Sequence, residues 1–461
     1  MPDQFKNLTA VFTLMSNDGT INFNMTTTED YLSNYTKIFR AWHVQDYSNY
    51  NLSAVTADIS TFLTVTESPF SFSLKGADGS TIYTSESNKL YMTEFLVFDS
   101  GTFSLNALND NPLMGMGERA GDLFYKNEDG GVHSRWTHDA ANPIDDGLPP
   151  GRNMYGIQPF YIYQSSNMAW YGVFNNNPYA TDFIVTTPKT NGTSQTDGIV
   201  TTVTIGGAIE KYFFAGAKPD DIIVKYEKLT GMPMMPPMWA FGWQQCRFGY
   251  VTDELWYQVT EKYEEFKIPI DTMWADIDYM DDYKIYSISP SRYSNLTKYV
   301  KQIREEKNMT FVPIMDAGVA VRADIDSYIT LKTGLDQGVF IKQALSDEPL
   351  TGGVWCGNAY FPDFYNEVTN QWWLDNWDHL NKTLGLNVDG IWLDMNEVTS
   401  FCDGYCIDSE RPKSSLRNKA YYVPGQRDLE TQNLGVDGRH DNTGKDYRIA
   451  EYDAHNTFSL M

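Results

Sequence analysis

The chain has 461 residues, 42% hydrophobic and 15% aromatic, so it is long enough for two or three domains and too rich in rings to be disordered. Its formal net charge of −25 argues against nucleic acid as a partner, because an acidic surface repels phosphates. No apolar run reaches 18 residues, so the sequence predicts no transmembrane segment. The 12 Trp and 30 Tyr could fill large cores or stack on sugars, and composition alone does not separate these roles.

Sequons of the form Asn-X-Ser/Thr favour a route through the secretory pathway, where such sites are glycosylated. The chain contains them at Asn7, Asn24, Asn34, Asn51, Asn191, Asn295, Asn308 and Asn381. No signal peptide begins at Met1, so we expect that the native start lies elsewhere or that a leader has been left out. The expected location is therefore outside the cell or in a lysosome or vacuole.

Four cysteines limit the possible cross-links. Cys402 and Cys406 are four residues apart and are predicted to close a small disulfide loop, whereas Cys246 and Cys356 could be free or paired. A zinc site is the alternative for four cysteines, but the chain has no C-x-x-C pair and few histidines, so no metal is expected. The glycine-rich stretch at 115–119 lacks the Lys-Ser/Thr end of a phosphate loop, and no cofactor is expected.

Residues 1–217 show the pattern of an antiparallel sheet. Phe70, Phe72 and Leu74 are separated by single polar residues, as in a half-buried strand, and Thr, Ser and Tyr are frequent. Gly, Asp, Asn and Pro mark the turns between such runs. The predicted architecture is a β-sandwich, with residues 127–153 forming a long surface loop.

Residues 218–461 alternate between strand and helix patterns, which predicts a parallel sheet with right-handed crossovers. The predicted strands are 240–246, 271–276, 310–316 and 389–394. The predicted helix faces are Val259, Tyr263 and Phe266 after a cap at Thr252, then Leu296, Val300 and Ile303, then Trp373, Trp377, Leu380 and Leu384. Segments 317–360 and 398–440 are long for connections and are predicted to form insertions on one face of the sheet.

Three of the predicted strands end in aspartate, at Asp276, Asp316 and Asp394. Because parallel strands of a barrel end on the same face, these carboxylates would converge on one pocket. Aspartate is a common N-cap after a strand, and each aspartate considered alone is better explained as such a cap. Trp274 and Trp392, each two residues before one of the aspartates, favour a site.

Several motifs resemble those of the retaining α-glucosidases of glycoside hydrolase family 31. The stretch from Ile391 to Glu397, Ile-Trp-Leu-Asp-Met-Asn-Glu, is similar to the family signature. The other matching stretches, in chain order, are 153–156 with 159–161, 236–239, 247–250, 274–280, 354–355, 361–364 and 422–425. The resemblance runs from about residue 110 to the end and implies a β-sandwich followed by a (β/α)8 barrel.

The resemblance also implies an activity, the exo-acting hydrolysis of terminal α-1,4-linked glucose from maltooligosaccharides or starch. It implies that Asp394 is the nucleophile, which forms a covalent glycosyl ester that water then releases with retention. Glu397 would support the site through hydrogen bonds, and Met395 would pack beside the nucleophile. Asp276 would hold the sugar hydroxyls.

A sugar-binding pocket is implied as well. Its lining would comprise Trp274, Ile314, Asp316, Trp355, Trp392 and Phe401. Asp139 matches an aspartate on a sandwich loop that reaches over the pocket. Phe248 stands where related enzymes often carry Trp, a change that keeps a ring and loses the indole donor.

The general acid/base that a retaining glycosidase needs has no match among these residues. The family carries it beyond the fourth barrel strand, and only four βα units are predicted here, too few to close an eight-stranded barrel. We therefore expect a second polypeptide, or a missing segment, with the rest of the barrel. The alternatives are a catalytically inactive carbohydrate-binding or structural subunit, and α-glucan lyase or α-xylosidase activity within the same family.

Overall fold

The computed structural model describes residues 8–17, 19–27, 52–76, 79–93, 96–106, 113–125, 129–139, 153–187, 197–413, 415, 423–425, 429–441 and 448–460. The sequons at Asn7, Asn34, Asn51 and Asn191 lie outside the described residues. The chain divides into two compact units, one within Met1–Met232, Ser414–Leu429 and Tyr452–Met461, and the other within Pro233–Lys413 and Glu430–Glu451. The predicted domain boundary near residue 218 stays a prediction.

The first unit is a sandwich of two antiparallel sheets, as predicted. Its described strands are β1 Leu8–Leu14, β2 Ile21–Thr27, β3 Leu63–Glu67, β4 Phe70–Lys75, β5 Thr81–Thr93, β6 Leu96–Ser104, β7 Leu113–Gly115, β8 Asp129–Arg135, β9 Phe160–Gln164, β10 Trp170–Asn175, β11 Thr181–Thr186, β12 Asp197–Thr204 and β13 Ile209–Gly216. One sheet has the order β1-β2-β13-β10-β9-β7 and the other β3-β4-β5-β6-β12-β11-β8. Helix α1, Pro219–Thr230, packs on the first sheet through Tyr226, whose ring stacks on Phe160 at 4.2 Å.

Rings from both sheets form the centre of the sandwich. Phe72 lies 4.6 Å from Phe23 and 6.0 Å from Tyr83, and Tyr83 lies 4.7 Å from Phe213, measured between ring centroids. Phe23 and Phe213 belong to one sheet, whereas Phe72 and Tyr83 belong to the other. The period-2 pattern of the sequence therefore produces the two apolar faces that the sandwich buries.

An ion pair also joins the two sheets. Lys211 of β13 lies 2.7 Å from Asp99 of β6, and both side chains are 1% exposed. Tyr83 Oη and Ser85 Oγ each donate to Asp99 at 3.2 Å. A buried charge at this depth is tolerated because a partner of opposite sign and further donors surround it.

The prediction of a long surface loop at 127–153 is wrong for its described part. Residues 129–135 form β8, which pairs with β11, and Arg135 and Trp136 are fully buried. The Gly130-Gly131 pair lies inside the strand, where the pairing shifts in register, and Gly130 has a φ of +71°. Glycines at a β-bulge give the same local sequence signal as glycines at a turn.

The second unit is built around a parallel sheet with the order β14-β15-β16-β20. Its described elements are β14 Gln244–Gln245, α2 Asp253–Glu265, β15 Thr272–Ala275, α3 Leu296–Lys307, β16 Thr310–Met315, β17 Val319–Ala320, α4 Ile329–Gln337, β18 Thr351–Val354, β19 Gly357–Tyr360, α5 Glu367–Asp378, β20 Trp392–Leu393, β21 Arg439–Asp441 and β22 Arg448–Ala450. A short helix, α6 Glu451–Ala454, follows in the sequence, and its residues from Tyr452 onward belong to the first unit. The alternation of strand and helix up to β20 agrees with the predicted half-barrel.

The helices of this unit follow the predicted faces with one correction. Thr252 caps α2 by accepting from the Leu255 amide at 3.2 Å, and Leu296, Val300 and Ile303 are buried on α3. Phe266 is exposed, because α2 ends at Glu265 and the turn at its end points this ring away from the core.

The two predicted insertions contain secondary structure of their own. Within 317–360, β17, β19 and β18 form a small antiparallel sheet, and α4 precedes β18. Within 398–440, Cys402 and Cys406 form a disulfide, as predicted, with their Cα atoms 5.2 Å apart. Cys246 and Cys356 are free thiols, which resolves the alternative that the sequence left open.

Candidate active site

Three carboxylates lie at the carboxyl ends of neighbouring parallel strands. Asp276 follows β15, Asp316 follows β16 and Asp394 follows β20. The pairing of Ile314 with Trp392 brings Asp316 and Asp394, each two residues further on, level with one another. Electrostatic interactions connect Asp394 with both other aspartates. The structure therefore brings together the three carboxylates that were predicted to converge.

Burial raises the pKa of two of these carboxyls, Asp316 and Asp276. It raises the pKa of Asp316 well above the ordinary value, and repulsion from Asp394 and Asp276 raises it further. Burial also raises the pKa of Asp276, although the Ile277 amide opposes the rise by donating to Asp276 Oδ1 at 2.7 Å. Asp316 is 4% exposed, and its Oδ1 has no hydrogen-bond partner among the described residues. A polar ligand in the pocket could supply that partner.

Two tryptophans stand beside the carboxylates. Trp274 and Trp392 lie two residues before Asp276 and Asp394, so each shares the face of the aspartate that follows it. Their ring centroids are 5.7 Å apart at an interplanar angle of 58°. Trp274 Nε1 donates to Gln244 Oε1 at 2.9 Å, which fixes the indole against the side chain from β14.

The two insertions contribute a second pair of rings, which we name the aromatic wall, composed of Trp355 and Phe401. The ring centroids are 5.2 Å apart in an edge-to-face arrangement. The Phe401 amide donates to the carbonyl of Gly353 at 2.7 Å, so the backbones of the two insertions are joined beside the rings. Edge-to-face pairs of this kind contribute about 0.5–1.5 kcal/mol beyond the area that they bury.

The chain turns sharply after Asp394. Met395 has a left-handed backbone conformation, with a φ of 60°, which is strained for a residue with a side chain. Its carbonyl accepts from the Thr399 amide at 3.1 Å, and Thr399 Oγ1 donates to Glu397 Oε2 at 2.9 Å. These bonds hold the strained turn and orient the Glu397 carboxylate, which fits the supporting role predicted for that residue.

For two further residues, Asp139 and Phe248, the place in the pocket stays a prediction. Asp139 belongs to the first unit, where it is buried after β8, and its position over the pocket stays a prediction. Phe248 is 57% exposed in the connection between β14 and α2. The next residue, Gly249, donates its amide to Asp278 Oδ2 at 2.8 Å, so this connection is attached to the end of β15.

Sequence reasoning missed four residues of this neighbourhood: Gln244, Cys246, Asp278 and Cys356. Burial, together with Asp276, raises the pKa of the Cys246 thiol to about 11. Burial, with a contribution from Asp316, raises the pKa of the Cys356 thiol to about 11 as well. The spacing of Gln244, on β14, and Cys246, directly after it, was an available signal, because Trp274 on β15 and Asp276 directly after it have the same spacing. Cys356 follows β18, and no local pattern indicated its proximity to Asp316.

Carboxylates beside flat apolar rings can bind a polyol and attack an electrophilic carbon. Among the described residues, no cluster of three or more His, Cys, Asp or Glu side chains is arranged to hold a metal ion. Within the same residues, no helix is long and apolar enough to cross a membrane.

Family models match both units. The Glycosyl hydrolase 31 N-terminal galactose mutarotase-like domain matches residues 17–183, and the Glycosyl hydrolases family 31 TIM-barrel domain matches residues 233–461. The chain belongs to glycoside hydrolase family 31. Membership confirms the resemblance drawn from the motifs, and it confirms the combination of a β-sandwich with a barrel domain.

Curated relatives in this family are named as glucosidases. A probable alpha/beta-glucosidase of Neosartorya fischeri is 30% identical over 346 residues, which are 74% of this chain and 37% of the relative. A probable alpha-glucosidase of Oryza sativa subsp. japonica is 30% identical over 89% of this chain and 43% of its own length. The chain therefore spans less than half the length of these curated relatives.

Solved structures share the fold at lower identity. The heterodimeric complex of ER glucosidase II superposes with a TM-score of 0.76 and 20% identity over 98% of this chain and 52% of the matched chain. A family 31 dextranase of Flavobacterium johnsoniae superposes with a TM-score of 0.69 and 18% identity over 99% of this chain and 49% of its own. Both superpositions agree with a sandwich followed by an incomplete barrel.

Asp316→Asn is expected to stabilise the chain at pH 7 by about 1–3 kcal/mol, because it removes a buried, incompletely bonded negative charge that faces Asp394 and Asp276. The pKa of Asp316 is raised in the folded state, so the unfolded chain loses this proton first as the pH rises above about 4. The stabilisation should therefore grow between about pH 4 and pH 7. Thermal unfolding at both values measures it, with the exposed Asp324→Asn as control; equal shifts at the two pH values would contradict the prediction.

Proposed function

We propose that the protein is a retaining, exo-acting α-glucosidase that hydrolyses terminal α-1,4-linked glucose from maltooligosaccharides or starch. The observation that carries the proposal is the meeting of Asp276, Asp316 and Asp394 at the ends of adjacent strands, beside Trp274 and Trp392. The glucosidase names of the curated relatives support the same reaction class.

In the proposed mechanism, Asp394 is the nucleophile. Its carboxylate attacks the anomeric carbon while the bond to the leaving oxygen breaks, and a general acid gives that oxygen a proton. The resulting glycosyl ester is attacked by water, which the same group deprotonates as a base, so two inversions give net retention. Asp276 and Asp316 bind sugar hydroxyls, and Trp274, Trp392 and the aromatic wall contact the apolar faces of the sugar.

We propose that further barrel strands, on a second polypeptide or another segment, supply the acid/base. Two features of the second unit support this. Strands β14 and β20 are the edges of the parallel sheet, and no described strand pairs with their outer sides. Apolar side chains next to these edges are exposed, among them Trp243 at 57% and Leu393 at 62%. Exposed edges and apolar patches of this kind are normally covered in a folded protein.

A secretory location, either extracellular or lysosomal/vacuolar, is also proposed, with N-glycans on exposed sequons. The Cys402–Cys406 disulfide supports an oxidising compartment. Asn308 and Asn381 are exposed at the ends of helical segments and are the described sequons best suited to carry a glycan. Asn295 is half-buried, and Asn24 has its side-chain oxygen buried within the sandwich, so these two sites are less suitable.

The test is the stereochemistry of the product, measured on the purified protein with whatever polypeptides accompany it. Proton NMR of the hydrolysis of an aryl α-glucoside should detect α-glucose first, with the β anomer forming later by mutarotation. Initial release of β-glucose would refute retention. Denaturing electrophoresis and mass spectrometry of the same sample identify the polypeptides present, and activity from a sample that contains only these 461 residues would refute the missing acid/base.

Product identity separates the alternatives. Glucose is the product of hydrolysis, whereas anhydrofructose would show that the protein is an α-glucan lyase and xylose from an α-xyloside would show an α-xylosidase. Sugar binding without turnover would favour a carbohydrate-binding or structural subunit.

A further inference from the structure

A buried histidine lies between two carboxylates in the second unit, apart from the aspartates at the strand ends. His440 Nδ1 is 2.8 Å from Asp363 Oδ1, and His440 Nε2 is 2.7 Å from Glu451 Oε2. The exposed fractions of the His440, Asp363 and Glu451 side chains are 0%, 1% and 0%. We name these three residues the histidine clamp.

The geometry of the clamp selects the charged form of the histidine. A neutral imidazole donates from one nitrogen only, so its other nitrogen would present a lone pair to a carboxylate, whereas an imidazolium donates to both. Burial by itself lowers the pKa of His440, but Asp363 and Glu451 outweigh burial and raise the pKa to about 10. The charged side chains in the surrounding layer are Lys342, Asp347, Arg439 and Asp441, which pair with one another.

Asp363 connects the clamp to the hairpin that carries Trp355. Asp363 comes three residues after β19, and its Oδ2 accepts from the Asp441 amide at 2.7 Å. Strand β19 pairs along its length with β18, and Trp355 directly follows β18. Asp363 thus anchors the base of the hairpin that carries Trp355 at its tip.

His440 connects the clamp to the segment that contains Phe401. His440 lies near the end of the segment 429–441, whose earlier residues pair with the segment that contains Phe401. The Ser400 amide donates to the Gln432 carbonyl at 3.1 Å, and the Gly404 amide donates to the Asn433 carbonyl at 3.0 Å. The clamp is therefore the joint between the two insertions that form the aromatic wall.

We propose that His440 is a positioning residue, which acts as a buried imidazolium to hold the Trp355 hairpin and the Phe401 segment in the register that forms the aromatic wall. The assignment of the wall to a sugar pocket rests on the proposed function, but the clamp itself does not. In this proposal the clamp does not contact the substrate. It affects catalysis indirectly, by positioning Trp355 and Phe401.

The first test measures the charge of His440 without reference to activity. In protein labelled with ¹³C-histidine, the His440 ring signal is identified by its loss in His440→Gln. It should not shift between about pH 5 and pH 8. The pKa of His440 is raised in the folded protein, so the charged imidazolium stabilises the fold. This contribution is complete below pH 6.5, the pKa of the unfolded state, and is lost as the pH rises through about 10. Titration of this signal near pH 6.5 would overturn the proposal.

The second test measures position. His440→Gln should raise amide hydrogen-exchange rates about tenfold or more in peptides covering 351–363 and 399–404, with little change in the sandwich strands. His379→Gln is the matched control, because this half-buried histidine lies after α5 and is not part of the clamp. Unchanged exchange in both peptides, or an equal rise throughout the chain, would show that the clamp does not position the wall.

The third test is kinetic and uses the active protein, with the folded fraction measured by active-site titration. His440→Gln should lower kcat/KM about 10- to 100-fold, mainly through KM, because the wall binds the sugar in the ground and transition states alike. The double variant His440→Gln/Glu451→Gln removes one of the two carboxylates that have lost the imidazolium, and it should recover part of the loss. A fall in kcat alone, or no recovery, would show that the clamp does not act by positioning the wall. If the wild-type protein is inactive, the proposed function fails while the first two tests still decide on the clamp.

Discussion

Asp394→Asn is expected to reduce hydrolysis on the order of 10⁴- to 10⁶-fold, as when the nucleophile of a covalent mechanism is removed. The amide keeps the shape of the side chain and loses the charge that attacks the anomeric carbon. Sugar binding should persist, because Asp276, Asp316 and the tryptophans are unchanged. Steady-state kinetics with an aryl α-glucoside, together with calorimetric binding of a non-hydrolysed sugar, measures the two effects separately.

The control for this prediction is Asp389→Asn, three residues before β20. Asp389 accepts from Arg304 and from the Phe311 amide there, so its loss should affect stability and leave the activity of folded molecules unchanged. A smaller variant, Asp394→Gly, adds a chemical test. Azide can enter the vacated space and attack the anomeric carbon once, which would yield β-glucosyl azide. Near-wild-type turnover by Asp394→Asn would refute the assignment of the nucleophile.

Lys211→Met is expected to destabilise the sandwich by about 3–5 kcal/mol, because it leaves the Asp99 carboxylate buried without its cation. The pair connects β13 of one sheet to β6 of the other, so the loss should appear in both sheets. Hydrogen exchange of peptides from β6 and β13 at increasing urea concentration measures the change for this unit without requiring the whole protein to unfold in one step.

The double variant Lys211→Met/Asp99→Asn provides the matching control for the ion pair. The amide that replaces the Asp99 carboxylate could accept from one of the Tyr83 and Ser85 hydroxyls through its oxygen and donate to the other through its NH2 group, and it would carry no charge, so most of the lost stability should return. Lys228→Met, on helix α1, is the control for the loss of a lysine away from the pair. If the double variant is as unstable as Lys211→Met, the lysine stabilises the sandwich through packing and not through its charge.

Local sequence patterns predicted much of the fold, because they record which faces are buried. The alternation at Phe72 and Leu74 and the helical spacing of Val300 and Ile303 both correspond to buried faces. These patterns failed where one signal has two causes, because the glycines at 130–131 produce a bulge inside β8 and not a turn. They also could not predict the order of strands within each sheet, which depends on pairings between residues far apart in the chain.

The candidate site was predictable in part for the same reason. Asp276, Asp316 and Asp394 each follow an apolar run, and parallel strands end on one face, so their convergence follows from topology. Cys356 could not be predicted, because its proximity to Asp316 depends on the hairpin of β18 and β19 inside an insertion. His440 was missed because its two carboxylate partners come from separate segments and no motif surrounds it.

Residues that complete the sandwich lie more than 300 positions further along the sequence. Trp136 stacks on His455 at 3.9 Å, and the Thr137 amide donates to Asn456 Oδ1 at 2.9 Å, 319 residues away. At ribosomal rates of about 5–20 residues per second, roughly 16 to 64 s separate the synthesis of these partners. During that interval the nascent sandwich has its strands but lacks the cover over Trp136, so it cannot finish folding until residues 455 and 456 have been synthesised.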